Sequence, residues 1–66
     1  MKNIGNCIRK SRKVKKLTQL ELANELKISR TTLSSYENNR RLPSIYVIWN
    51  IADILDISVD ELIGRK

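Results

Sequence analysis

The sequence predicts a compact all-α domain of five short helices, on three observations. Apolar residues recur at three- and four-residue spacing along nearly the whole chain, with no strand-like alternation. Ser or Thr precedes four of these runs where a helix cap belongs, at Thr18, Ser29, Ser44 and Ser58. Residues 18–38, TQLELANELKISRTTLSSYEN, hold two helical patterns with only Lys27 and Ile28 between them. A tight helix pair of this kind is how a very small domain presents one helix to a DNA groove.

The first helix is expected over about Ile4 to Lys15. Ile4, Cys7, Ile8 and Ser11 form its narrow apolar stripe, and Val14 extends it. Thr18 with Glu21 three residues on is a capping box that starts the second helix. Leu22, Ala23 and Leu26 face inward, and Ala23 is small enough for a close helix crossing. Ile28 pins the turn to the core and Ser29 caps the third helix, whose Leu33 and Tyr36 point inward. Its opposite side carries Arg30, Thr31, Ser34, Ser35 and Asn38, all of them polar, which suits base edges better than a protein core.

Residues 38–43 form a loop, with Asn39 the candidate for a left-handed helix end and Pro43 holding Leu42 extended. Ser44 caps a fourth helix, about Ile45 to Leu55, with Ile48, Ile51, Ala52 and Leu55 inward. After the turn at Asp56–Ile57, Ser58 and Glu61 form a second capping box and begin a short fifth helix through about Ile63, which Gly64 ends. The 66 residues read as one domain.

Charge is unevenly placed. The net charge is +6, yet residues 1–16 hold seven bases (Lys2, Arg9, Lys10, Arg12, Lys13, Lys15, Lys16) and no acid. Residues 42–63 hold four acids (Asp53, Asp56, Asp60, Glu61) and no base. A localised basic surface on a folded domain points to nucleic acid. The first helix has too few bulky apolar residues for a membrane surface. A single cysteine forbids an internal disulfide; with no histidine the Cys and His ligands of an ordinary zinc site are missing, and Ser34–Ser35 beside Tyr36 lack the histidine base of a Ser–His nucleophile. The expectation is therefore a non-enzyme without metal or cofactor. Cys7, on the apolar stripe, is read as a small buried hydrophobe. No apolar run suits a signal peptide or a bilayer span, so the expected location is the cytoplasm.

Two segments carry a resemblance: Thr18–Gln19 … Glu21–Leu22–Ala23 … Leu26, Ile28–Ser29, Leu33–Ser34, Tyr36–Glu37–Asn38, and then Pro43–Ser44–Ile45 … Ile51–Ala52 … Leu55 … Asp60–Glu61–Leu62. In that order and spacing the chain resembles the phage repressor and Cro-like helix-turn-helix family, also called the xenobiotic-response-element family, from about Ile4 to Gly64. The resemblance implies a lambda-repressor-like fold with the third helix in the major groove. It implies that Arg30, Thr31, Ser34 and Ser35 face bases, and that Thr18, Gln19, Asn38, Arg40 and Arg41 hold phosphates; Arg9, in the uncompensated basic set of the first helix, is read from its charge as a further phosphate contact. Arg12 and Glu37 match a pair that ties the first helix to the third. Lys27 and Asn39 stand where relatives often carry Gly. Only Arg30 can make the bidentate guanine contact, and Thr31 can touch a thymine methyl.

The fourth helix has more apolar surface than one core face uses, in Ile45, Tyr46, Val47, Trp49 and Ile54. The dimer contact is expected at Trp49, Ile54, Val59 and Ile63, in the acidic third that belongs away from DNA. The function that follows is a homodimeric, sequence-specific transcriptional regulator on an inverted-repeat operator. The rival, from another class, is an antitoxin-like interaction module that uses the same apolar surface to mask a partner protein.

Overall fold

In a computed structural model of the chain, residues 3–63 are described. They form five helices: α1 Ile4–Val14, α2 Gln19–Leu26, α3 Arg30–Glu37, α4 Ile45–Leu55 and α5 Val59–Leu62. There is no strand among the described residues. α3 packs on both α1 and α2, while α4 and α5 close the other side of the core.

Four of the five helix starts are written in side chains. Thr18, Ser29, Ser44 and Ser58 all accept a hydrogen bond from the backbone N–H three residues on. Thr18–Glu21 and Ser58–Glu61 complete reciprocal capping boxes.

The helix ends share one device. After α1, α2, α3 and α4 a single residue turns left-handed, at Lys16, Lys27, Asn39 and Asp56, with φ between 57° and 60°. The residue after it then donates its N–H five residues back, from Leu17 to Arg12, Ile28 to Ala23, Arg40 to Ser35 and Ile57 to Ala52. This satisfies end carbonyls that would otherwise lack a partner. Leu17, Ile28 and Ile57, which follow three of these turns, also pack on the core. None of the four turning residues is glycine, so each carries the steric cost of a Cβ in that conformation.

Ile8, Leu22, Leu33, Ile51, Leu55 and Leu62 are fully buried, so every helix contributes to one aliphatic core. Val14 does not: it is 79% exposed. The inward row of α1 runs Ile4, Ile8, Arg12, and Val14 lies roughly 200° round the helix from Arg12. Cys7, Leu26 and Ile28, expected in the core, lie half-buried at its margin. α1 and α5 are each one residue shorter than expected, Lys15 and Ile63 serving as their caps. The expected stop at Gly64 lies outside the described residues.

Candidate nucleic-acid interface

α3 turns Leu33 and Tyr36 into the core and leaves Arg30 and Thr31 exposed, with Ser34 and Ser35 half-buried beside them. Asn38, its C-cap, is exposed, as are Arg40 and Arg41 in the loop that follows. Thr18 is exposed at the start of α2 and Gln19 is half-buried. Pro43 is buried and anchors the loop that carries the two arginines.

The mount of this helix is a buried carboxylate. Glu37, the last residue of α3, is 1% exposed. Its Oε2 accepts from Arg12 Nε at 2.7 Å and its Oε1 from Arg12 Nη2 at 3.1 Å, a two-point contact between α1 and α3. Gln19 Nε2 donates to the same Oε1 at 3.1 Å and ties in the start of α2. Arg12 Nη1 donates to the Leu17 carbonyl at 2.8 Å, which fixes the α1–α2 connection. No buried side-chain polar atom among the described residues is left without a partner. Three helices thus meet on one carboxylate, and Glu37 belongs to the scaffold.

A second set of contacts locks α1 across the end of α3. Arg9 Nη2 donates to the Glu37 carbonyl at 3.0 Å and to Asn38 Oδ1 at 3.1 Å. Asn38 Nδ2 donates to Ser34 Oγ at 3.2 Å. Gly5 N donates to Asn39 Oδ1 at 3.1 Å, so Asn39 both turns the chain and grips the first turn of α1. At Gly5 the backbones nearly touch: a Cβ there would lie 2.5 Å from the carbonyl oxygens of Tyr36 and Glu37.

Gly5, the Asn39 amide and the Arg9–Asn38–Ser34 chain were not legible as a unit in the sequence. The one signal available was an isolated glycine inside an otherwise helical pattern, which marks a close backbone approach.

On α4, Ile45, Tyr46 and Trp49 are 56%, 80% and 64% exposed and fall within about a third of the helix circumference. Leu42, just before the helix, is 64% exposed. Ile54 lies roughly 140° from Trp49 and lines an open groove with Lys15, Leu17, Glu21, Asn24 and Glu25. Val59 and Ile63 are half-buried against the core. The structure therefore does not bring Trp49 and Ile54 onto one face. No helix among the described residues is long and apolar enough to cross a membrane.

The profile of a helix-turn-helix family matches residues 8–62. The cryptic phage CTXphi transcriptional repressor RstR of Vibrio cholerae is 44% identical over 54 residues, which are 82% of this chain and 48% of the repressor. The chain spans about half the length of this relative. The restriction-modification controller protein C.AhdI of Aeromonas hydrophila superposes with a TM-score of 0.85 at 32% identity, over 91% of each chain. SinR of Bacillus subtilis, the master regulator for biofilm formation, in its complex with DNA superposes with a TM-score of 0.84 at 36% identity, over 91% of this chain and 97% of the SinR chain in that structure.

Proposed function

Since the chain belongs to the helix-turn-helix family of transcriptional regulators, we propose that it binds an inverted-repeat operator as a homodimer in the cytoplasm, with one α3 of each subunit in the major groove. The observation that supports this most directly is the solvent face of α3. It presents Arg30, Thr31, Ser34 and Ser35 and no apolar residue, on a helix whose far end is bolted to α1 and α2 through Glu37. A reading helix must be held in place, and this mount ties the end of α3 to α1 and α2.

Arg30 reads a guanine through its two-donor fork and Thr31 a thymine methyl. Thr18, Gln19, Arg40 and Arg41 hold phosphates on either side; the free amides at the start of α2 favour an anion there. Arg9 and Asn38, already bonded to each other, lie at the edge of this set with further donors to give. These contacts position the domain, and the α3 contacts specify the site.

The dimer is proposed on the α4–α5 side. Trp49 anchors it with Ile45 and Tyr46, and Ile54, Val59 and Ile63 add only the edges they leave uncovered. To enter successive major grooves, the two α3 helices of such a dimer must lie about 34 Å apart, one turn of DNA.

Selection of bound sequences from random DNA at physiological salt, with light scattering on the free protein, tests this reading. A palindromic consensus and a dimeric mass are expected. A monomer that retains no DNA would instead favour a chain whose apolar α4 face serves a different protein.

A further inference from the structure

Ser34 and Ser35 are neighbours on the flank of α3, yet their hydroxyls have different partners. Ser35 Oγ lies 3.1 Å from the Thr31 carbonyl oxygen. A carbonyl only accepts, so Ser35 donates its single proton there and offers only lone pairs outward. Ser34 Oγ lies 3.2 Å from Asn38 Nδ2. Arg9 decides which end of that amide faces Ser34, because its Nη2 donates to Asn38 Oδ1 at 3.1 Å. A guanidinium has no acceptor, so a reversed amide would set donor against donor. Nδ2 therefore donates to Ser34, whose own proton is unspent among the described residues. Arg9 is held in turn by the Glu37 carbonyl at 3.0 Å and faces the Glu37 carboxylate at 3.8 Å. Orientation passes from buried Glu37 through Arg9 and Asn38 to Ser34.

We propose that α3 reads base edges with two adjacent hydroxyls of opposite hydrogen-bonding sense, Ser34 as a donor to a base acceptor and Ser35 as an acceptor from a base amine. This rests on the reading of α3 as the helix that meets bases. Ser34 then favours a purine N7, guanine O6 or thymine O4 over the cytosine amine. Ser35 takes adenine N6 or cytosine N4. A serine free to rotate suits either kind of edge and carries little sequence information. Here Ser35 has spent its proton on the Thr31 carbonyl, and Ser34 keeps its proton while one of its two lone pairs is taken by Asn38, which weights it toward donation. Arg9 and Asn38 act as positioning residues for the readout.

The test uses the full chain and the operator obtained by selection. Duplexes are made with one analogue at a time. Acceptors are deleted with 7-deazapurines, with 2-aminopurine for guanine and with 5-methyl-2-pyrimidinone for thymine. Amines are deleted with purine for adenine and 2-pyrimidinone for cytosine. Each loss is read as a ratio between wild type and variant, which cancels the effect of the analogue on the duplex itself.

Wild type is expected to lose roughly 2- to 10-fold at one acceptor-deleted position and at one amine-deleted position per half-site, the span of one net hydrogen bond. Ser34→Ala abolishes the first sensitivity alone and Ser35→Ala the second alone; alanine favours helix, so both variants fold. Asn38→Asp supplies a carboxylate that accepts from Ser34 and turns its lone pairs outward. Selection with that variant then shifts one base pair toward an amine-bearing base. Variants that keep both wild-type sensitivities, or senses found reversed, overturn the proposal. So does an Asn38→Asp variant that weakens every sequence alike with the consensus unchanged. Sequence-specific binding indifferent to Ser34→Ala and Ser35→Ala sinks this inference alone, whereas a chain that binds no DNA sinks it together with the reading it rests on.

Discussion

Arg12 and Glu37 face each other across the α1–α3 crossing with two parallel hydrogen bonds, 2.7 Å and 3.1 Å long, and both residues are at least 92% buried. Neither charge can be removed singly without stranding the other inside the core. Arg12→Ala or Glu37→Ala is expected to lower stability by about 3–5 kcal/mol, a large part of what so small a domain has. Urea unfolding of each variant checks this. A loss below 1 kcal/mol would mean that water reaches the pair and that α3 does not depend on it.

Gly5→Ala sets two effects against each other. Alanine gains up to about 1 kcal/mol of helix propensity over glycine. The added Cβ, however, would sit 2.5 Å from two backbone carbonyl oxygens, which cannot move aside as a flexible side chain would. Overpacking of this kind costs about 1–3 kcal/mol, so the variant should be less stable, and DNA binding should fall with it as α3 shifts. A raised thermal midpoint would contradict the close crossing.

Two left-handed residues should respond to glycine with opposite signs. Lys27, at φ 59°, is exposed, and Lys27→Gly removes its steric penalty; the expected gain is up to about 1 kcal/mol after the extra entropy of glycine is deducted. Asn39, at φ 60°, also accepts the Gly5 N–H, and asparagine tolerates this conformation well. Asn39→Gly should therefore lose about 1 kcal/mol. Chemical denaturation of the pair decides the matter, and equal responses would mean that the Asn39–Gly5 bond contributes nothing.

Arginines on the two parts of the interface should fail differently. Arg30→Ala should cost about 1–3 kcal/mol on the operator and relax one base-pair position, with little effect on random DNA. Arg40→Ala or Arg41→Ala should weaken all DNA alike and flatten the slope of log affinity against log salt by about 0.9. Salt titrations on specific and random duplexes separate the two outcomes; a common pattern for all three arginines would remove the division between reading and holding.

Trp49→Glu places a charge at the centre of the exposed α4 face, away from the buried row of that helix. The expected outcome is a folded monomer by circular dichroism and light scattering, with operator affinity reduced far more than the affinity for one half-site. An unchanged dimer would move the interface elsewhere.

The order and type of all five helices were open to reading in the sequence, because caps and apolar spacing are local signals. Four Ser or Thr caps, two capping boxes and the left-handed turn at Asn39 involve residues at most five positions apart. So did the polar face of α3, since a helix with a fixed period turns a residue list into a surface. Val14 shows where that logic stops. Its spacing suits the stripe, but the inward position at that level is occupied by Arg12, which is drawn in by a carboxylate 25 residues away.

The sequence by itself therefore determined the elements, four of their starting caps and the polar face of α3. Only the tertiary structure decided how that helix is held and which end of the Asn38 amide meets Ser34. Those properties depend on Gly5 meeting the Tyr36 and Glu37 carbonyls, on Arg9 and Arg12 converging on Glu37, and on Asn38 turned by Arg9. Each is a distance between residues on different helices, and no periodicity along one helix encodes it.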